Sequence, residues 1–221
     1  MASFTKNTLV SDIILRLSKG KPSDDMELES AQIAFWIDQL LPALIKQSLD
    51  SAIASDQPID PDYIKVEESV TPILKVNDDL VIQTNVYIDL CNPPISLLRD
   101  RGVIRVATDD GFYVDKVTFE ELDDVTHLKF SKPSTKSLKY NRVKKRLYFY
   151  GVTEDTIGLF KFNIAYIPLQ KLADLGEDDL VYVGNDILPL LAEAVEAIAR
   201  RQMYQSDIDE ENDGQQDLNV N

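Results

Sequence analysis

Apolar residues recur at helical spacing near both ends of the chain and at alternate positions through its middle, so helices must flank a sheet-rich centre. Leu9, Val10, Ile13, Ile14 and Leu17 form the first helical stripe, over about residues 8–19. Gly20 and Pro22 follow in the order expected past a helix end, and Ser23, Asp24 and Asp25 read as a turn. A longer helix is predicted from about Ser30 to Asp50. Ile33, Ile37, Leu40, Leu44 and Ile45 line one face of it, and Phe35, Trp36 and Leu41 widen that face. Pro42 falls inside this pattern. It removes one hydrogen bond and crowds the carbonyl four residues back, which predicts a kink or break.

Residues 51–61 read as a loop, and from there the period becomes two. Candidate strands are Tyr63–Glu67, Ile73–Val76, Leu80–Ile88, Val103–Ala107, Arg146–Tyr150 and Leu159–Ile167, punctuated by Asp78-Asp79, Asp109-Asp110-Gly111 and Gly151. The clearest has Phe160, Phe162, Ile164 and Tyr166 alternating with Lys161, Asn163 and Ala165, the pattern of a half-buried antiparallel strand. Thr118-Phe119-Glu120-Glu121 fits a capping box and predicts a short helix. The last helix is expected over about 186–205. Leu188, Leu191, Val195 and Ile198 form a narrow stripe there, with Pro189 in the first turn, where its missing N–H costs little. These elements predict an α+β fold: a single domain over 1–205, with terminal helices around a mostly antiparallel β-rich middle at about 63–167. Residues 206–221 form an acidic tail too polar to order itself, expected to be ordered only by partners.

A chain of 221 residues with 44% hydrophobic content can bury roughly 70% of its unfolded surface, enough to fold without a metal or disulfide staple. Cys91 is the single cysteine and has no intramolecular partner. No stretch approaches the roughly 18 apolar residues of a membrane span, so no membrane role is expected. Met1-Ala2-Ser3-Phe4-Thr5-Lys6 lacks a charged-then-apolar leader, which points to synthesis in a reducing cytosol without export by the usual route.

Little here can run chemistry. His127, the single histidine, follows Asp123-Asp124-Val125-Thr126 with no nucleophile nearby, and reads as a polar residue near a helix end. One His and one Cys cannot supply a zinc set. The pairs Asp24-Asp25, Asp78-Asp79, Asp109-Asp110, Asp123-Asp124 and Asp178-Asp179 read as turn punctuation, since adjacent strand residues point to opposite faces. Asp209-Glu210-Glu211-Asn212-Asp213-Gly214 echoes a calcium loop, but Val220 stands where the bidentate Glu belongs. There is no glycine-rich phosphate loop and no nucleophile elbow. The expectation is a non-enzymatic protein with no cofactor, metal ion or catalytic residue. A hydrolase with carboxylate chemistry would need converging acids that the sequence does not display.

One segment runs against a formal net charge of −15. Lys129, Lys132, Lys136, Lys139, Arg142, Lys144, Lys145 and Arg146 place eight of the twenty-three basic residues in eighteen positions, with no acid among them. Phe130 and Tyr140 interleave, as in a stacking surface for single-stranded nucleic acid. The strip at 129–146 therefore has three readings: a solvated loop, a nucleic-acid contact, or an interface with an acidic surface of the next copy or another protein. Opposite-sign patches on one chain favour the third, through head-to-tail contacts that close into rings. Phosphates would be repelled by the rest of the chain.

Several segments together resemble a known group. The run from Ile13 through Leu17-Ser18-Lys19-Gly20-Lys21-Pro22 to Asp25, then Gln32-Ile33-Ala34-Phe35-Trp36-Ile37 and Leu44-Ile45-Lys46-Gln47, is similar to the start of virion structural proteins of tailed phages, notably crAss-like phages and other podoviruses infecting Bacteroidetes. Pro93-Pro94-Ile95, Gly102-Val103-Ile104-Arg105-Val106, the 130–140 region, Arg146-Leu147-Tyr148-Phe149-Tyr150, Phe162-Asn163-Ile164-Ala165-Tyr166-Ile167-Pro168 and Ile187-Leu188-Pro189-Leu190-Leu191 continue the likeness over most of 8–205. Those proteins carry an acidic residue before the proline that follows the last strand, where this chain has Tyr166-Ile167. The resemblance implies a ring or adaptor of the head-to-tail connector: twelve copies below the portal, touching the portal protein and neighbouring connector or tail rings. It further implies packaged DNA passing through without specific binding, a place in the virion at the head–tail junction or tail, and assembly in the host cytoplasm.

Overall fold

Alternation at 162–166 buries Phe162, Ile164 and Tyr166 completely and turns Asn163 and Ala165 to the other face, as expected of a strand covered on one side. The computed structural model describes residues 4–18, 30–74, 84, 86–122 and 133–216, with side chains through 201. In order, its elements are β1 (Phe4–Thr5), α1 (Lys6–Leu17), α2 (Ser30–Ala54), β2 (Lys65–Val70), β3 (Ile73–Leu74), β4 (Val86–Asp89) and β5 (Val103–Thr108). Then come β6 (Asp115–Lys116), the helical turn α3 (119–122), β7 (Lys139–Val143), β8 (Arg146–Tyr150), β9 (Phe162–Tyr166), β10 (Leu180–Val181) and α4 (Ile187–Gln216). The fold is α+β with terminal helices around a β-rich middle, as the periodicity predicts. The domain expected over 1–205 comprises two compact units, one spanning 56–170 and one joining 1–55 to 171–221.

In the first of these units the sheets have strand orders β2-β9-β5 and β3-β4-β8-β7-β6. All pairings in them are antiparallel except β6 with β7. One apolar cluster joins them, with Val86, Ile88, Leu147 and Phe149 from the larger sheet meeting Val106, Phe162, Ile164 and Tyr166 from the smaller. Phe149 and Phe162 stack with ring centroids 4.1 Å apart. The alternate residues Tyr87, Tyr148 and Tyr150 lie on the opposite face of the larger sheet, in a second cluster with Val117 and Leu122. The capping box is formed as read: Thr118 N–H donates to Glu121 Oε2 at 3.0 Å and Glu121 N–H to Thr118 Oγ1 at 3.3 Å. Gly102 answers a close approach. A Cβ there would stand 1.9 Å from the Ile95 carbonyl oxygen, so only glycine admits the 95–102 contact.

The second unit holds α1, α2 and α4 with the two-stranded β1–β10 pair. Thr5 caps α1 in a box with Thr8, and Leu9, Val10 and Ile13 are its buried face. In α2 the buried stripe is Ile33, Trp36, Ile37, Leu41, Ile45, Leu49 and Ile53. Phe35, expected to widen the buried face, is instead 59% exposed, because the stripe at four-residue spacing from Ile37 to Ile53 decides which side faces inward. The helix continues through Pro42 to Ala54 rather than breaking. In α4 Ile187, Leu188, Leu191, Val195 and Ala199 are buried, and its backbone carries on past Gln205 to Gln216.

Other departures have local causes. The strand expected at 159–167 starts at Phe162, because Ile157–Leu159 form a 3-10 turn. Of the strands expected at 73–76 and 80–88, the described parts are β3 and β4. The basic segment contributes β7, in which Tyr140 and Val143 stand among the polar Lys139, Asn141 and Arg142 and gave no alternating signal.

Candidate interface

The described part of the basic strip is mainly the β7–β8 hairpin, with Lys144 and Lys145 in its turn. Lys139 is paired in register with Asp115 across the β6–β7 ladder, and its Nζ lies 2.7 Å from Asp115 Oδ2. The Arg142 guanidinium donates to the Asp100 carboxylate and to the Pro94 carbonyl at 3.2 Å, and Lys116 Nζ donates to the other Asp100 oxygen. Arg146 Nε sits 2.9 Å from Asp89 Oδ1, its cross-strand neighbour, with the guanidinium 4.8 Å from the Tyr87 ring centroid. Three of the basic residues are thus answered by acids that the fold brings from 89, 100 and 115.

Tyr140 is in the core with 4% exposure, and burial, followed by the nearby Asp100 carboxylate, pushes its hydroxyl up to about 12. Its ring is therefore not a stacking surface. Lys136, Lys144 and Lys145 remain exposed, and none takes part in an ion pair among the described residues. Lys129, Phe130, Lys132 and His127 lie outside the described residues.

The remaining reactive groups have structural duties. Glu67 accepts from the buried Tyr166 hydroxyl at 2.5 Å and from Cys91 N–H at 3.1 Å. Partial loss of solvent, then Glu67, raises the Cys91 thiol above its ordinary value, away from thiolate reactivity. Two acidic pairs serve turns as read. Asp179 Oδ2 accepts from Gly176 N–H of its own turn at 2.8 Å, whereas Asp109, in the turn at 109–110, accepts through Oδ2 from the distant Ser69 Oγ at 3.0 Å. Asp38, which the sequence reading passed over, accepts from the Leu172 and Ala173 N–H groups and so caps the 3-10 turn at Leu172–Asp174. Among the described residues no group of three or more His, Cys, Asp or Glu could hold a metal ion, and no helix is long and apolar enough to cross a membrane.

The sequence reading also missed a set of exposed apolar side chains. Phe112 and Tyr113 follow β5 at 73% and 68% exposure. The available signal was two aromatics directly after Asp109-Asp110-Gly111, where a solvated turn would carry polar residues.

Comparison with known proteins gives one family. The model of a family described as phage tail ring protein 2 matches residues 8–218, nearly the whole chain. No curated protein matches it.

Proposed function

We propose a finer role for this chain, which belongs to the phage tail ring protein 2 family of crAss-like phages. A member of that family is a structural virion subunit that assembles with copies of itself into a ring. In our reading the ring belongs to the head-to-tail connector, below the portal, bridges capsid to tail and surrounds the DNA channel. The subunit works by geometry and interface complementarity, without catalysis. The match over 8–218 is the observation that carries this reading.

Charge supports the channel. A net −15 subunit presents packaged DNA with a wall from which phosphates are repelled, so the duplex slides rather than sticks. Among the described residues of the basic strip, the exposed Lys136, Lys144 and Lys145 are the part that meets an acidic surface of the next copy. The acids at 207–213, in the last turns of α4, meet an adjacent ring.

Native mass spectrometry of the purified protein, alone and with the portal protein of its genome, tests the role. A closed oligomer of fixed copy number, with twelve expected, or binding to the portal in fixed stoichiometry supports the connector reading. A monomer that ignores the portal overturns it.

A further inference from the structure

We propose that the bulge at Glu68-Ser69 guards the free edge of β2, keeping that edge from pairing with the same edge of another copy. The inference is independent of the ring reading, since it concerns a contact that the chain avoids in any state of assembly.

A sheet edge needs protection because its row of unpaired N–H and C=O groups is a template for another strand. In the sheet-rich unit the larger sheet ends in β3 and β6, each only two residues long. One edge of the smaller sheet is β5, which its own following turn covers. Val114 N–H donates to the Val106 carbonyl at 3.0 Å, Thr108 N–H donates to the Phe112 carbonyl at 2.9 Å, and Tyr113 is bridged to Ala107. The other edge, β2, is six residues long and pairs with β9 alone among the described residues. It is exposed at Val66, Glu68 and Ser69. Shortness and cover therefore protect three edges, and the fourth depends on something else.

The register of β2 with β9 supplies it. Glu67 stands opposite Ile164 and Val70 opposite Phe162, so Glu68 and Ser69 together face the single residue Asn163. Ser69 takes φ +52°, a left-handed conformation that a residue with a Cβ adopts only at a cost. Two side chains hold it there. Its N–H donates to Asn163 Oδ1 at 2.8 Å, and its Oγ donates to Asp109 Oδ2 at 3.0 Å. Asp109 is itself tied down, its N–H donating to the Lys161 carbonyl at 3.0 Å. Groups on β9 and just past the end of β5 thus fix one residue of β2. A bulge bends its strand and offsets the polar groups along the outer edge, so an incoming strand cannot match them in register. The strand kept out is β2 of a second copy. Antiparallel pairing of β2 with itself is isologous, so each copy already brings the whole of the surface required. In a ring the edge would recur once per subunit, and its pairing would join ring to ring.

The test removes the bulge in two ways. Asn163→Ala withdraws the acceptor that holds Ser69, and deletion of Ser69 lets Glu68 face Asn163 in unbroken register. The deletion leaves Val70 opposite Phe162 and packed against the core. Wild type and both variants are compared at rising protein concentration by native mass spectrometry, with amide hydrogen exchange read over 65–70. The deletion is expected to add species of twice the wild-type mass, whatever copy number wild type shows, and Asn163→Ala to do so more weakly. In those species the outward amides of β2 should exchange at least about tenfold more slowly than in wild type, as ladder hydrogen bonds form. Folded variants that keep the wild-type masses and exchange overturn the guard. Doubling without slower exchange over 65–70 also overturns it, because the new contact then lies elsewhere. If the deletion fails to fold, Asn163→Ala carries the same outcomes. A wild type that never closes into rings would overturn the ring reading and leave this inference standing.

Discussion

Two tyrosines in the sheet-rich unit, both at 5% exposure or less, are buried with opposite hydrogen-bonding outcomes. The Tyr166 hydroxyl donates to Glu67 at 2.5 Å, whereas the Tyr150 hydroxyl is buried with no partner among the described residues. Tyr166→Phe is therefore expected to cost about 1–2 kcal/mol, since it leaves a carboxylate short of a donor, while Tyr150→Phe is neutral or slightly stabilising. Urea denaturation of both variants decides this, and equal losses would contradict it. Burial also raises the hydroxyl pKa of both and of a third tyrosine, with Tyr140 and Tyr150 pushed up to about 12 and Tyr166 raised as well. An acid whose pKa is higher folded than unfolded keeps its proton longer in the native state. Above the ordinary tyrosine value near 10 the unfolded chain releases protons that the folded chain still holds. Stability is thus whole below pH 10 and falls as pH rises toward about 12, which denaturation midpoints at pH 8, 10 and 11 will register. A midpoint that stays flat across that window would mean that these side chains are hydrated.

At the scale of elements, legibility followed the strength of local patterning. Strand β9 and the Thr118–Glu121 capping box were readable because each is specified within a few consecutive residues. The β1–β10 pair was not, because two residues per strand leave no period to detect and their partners are far apart in sequence. Phe35 was misassigned because a wide apolar face cannot be told from a narrow stripe with one outward aromatic until the stripe's far end is fixed. The basic strip was found as a run of residues, but its neutralisation by Asp89, Asp100 and Asp115 depends on register and loop placement that no window of sequence contains. That pairing sorts the strip into two classes. Lys139→Glu with Arg142→Glu sets acid against Asp115 and Asp100 and is expected to lower stability by about 2–4 kcal/mol. Lys144→Glu with Lys145→Glu lies in an exposed turn and should shift stability by no more than about 0.5 kcal/mol. If the exposed lysines meet the next copy, the second variant weakens assembly while the monomer melts as wild type. Intact rings would take the turn out of the interface.

The whole molecule couples a tail ring family, a net charge of −15 and a basic strip whose exposed remainder, in the described residues, is three lysines. If the ring surrounds DNA, as proposed, it must admit the duplex without holding it. Binding strength scales with the number of phosphates neutralised, and the logarithm of the binding constant falls with the logarithm of salt at about −0.9 per contact. The three exposed lysines among the strip's described residues, set against a large acidic excess, are too few for nonspecific binding of the usual ~10⁻⁴–10⁻⁶ M at physiological salt. The assembled protein is therefore expected to show no measurable affinity for a short duplex by fluorescence anisotropy between 50 and 200 mM salt. Lys144→Glu with Lys145→Glu should change nothing in that assay. The competing outcome is equally definite. Micromolar binding that weakens with a salt slope near −3, and is lost in that variant, would mean that the lysine turn faces phosphates. The channel would then grip its DNA, and the strip would be a nucleic-acid contact rather than a meeting point of subunits.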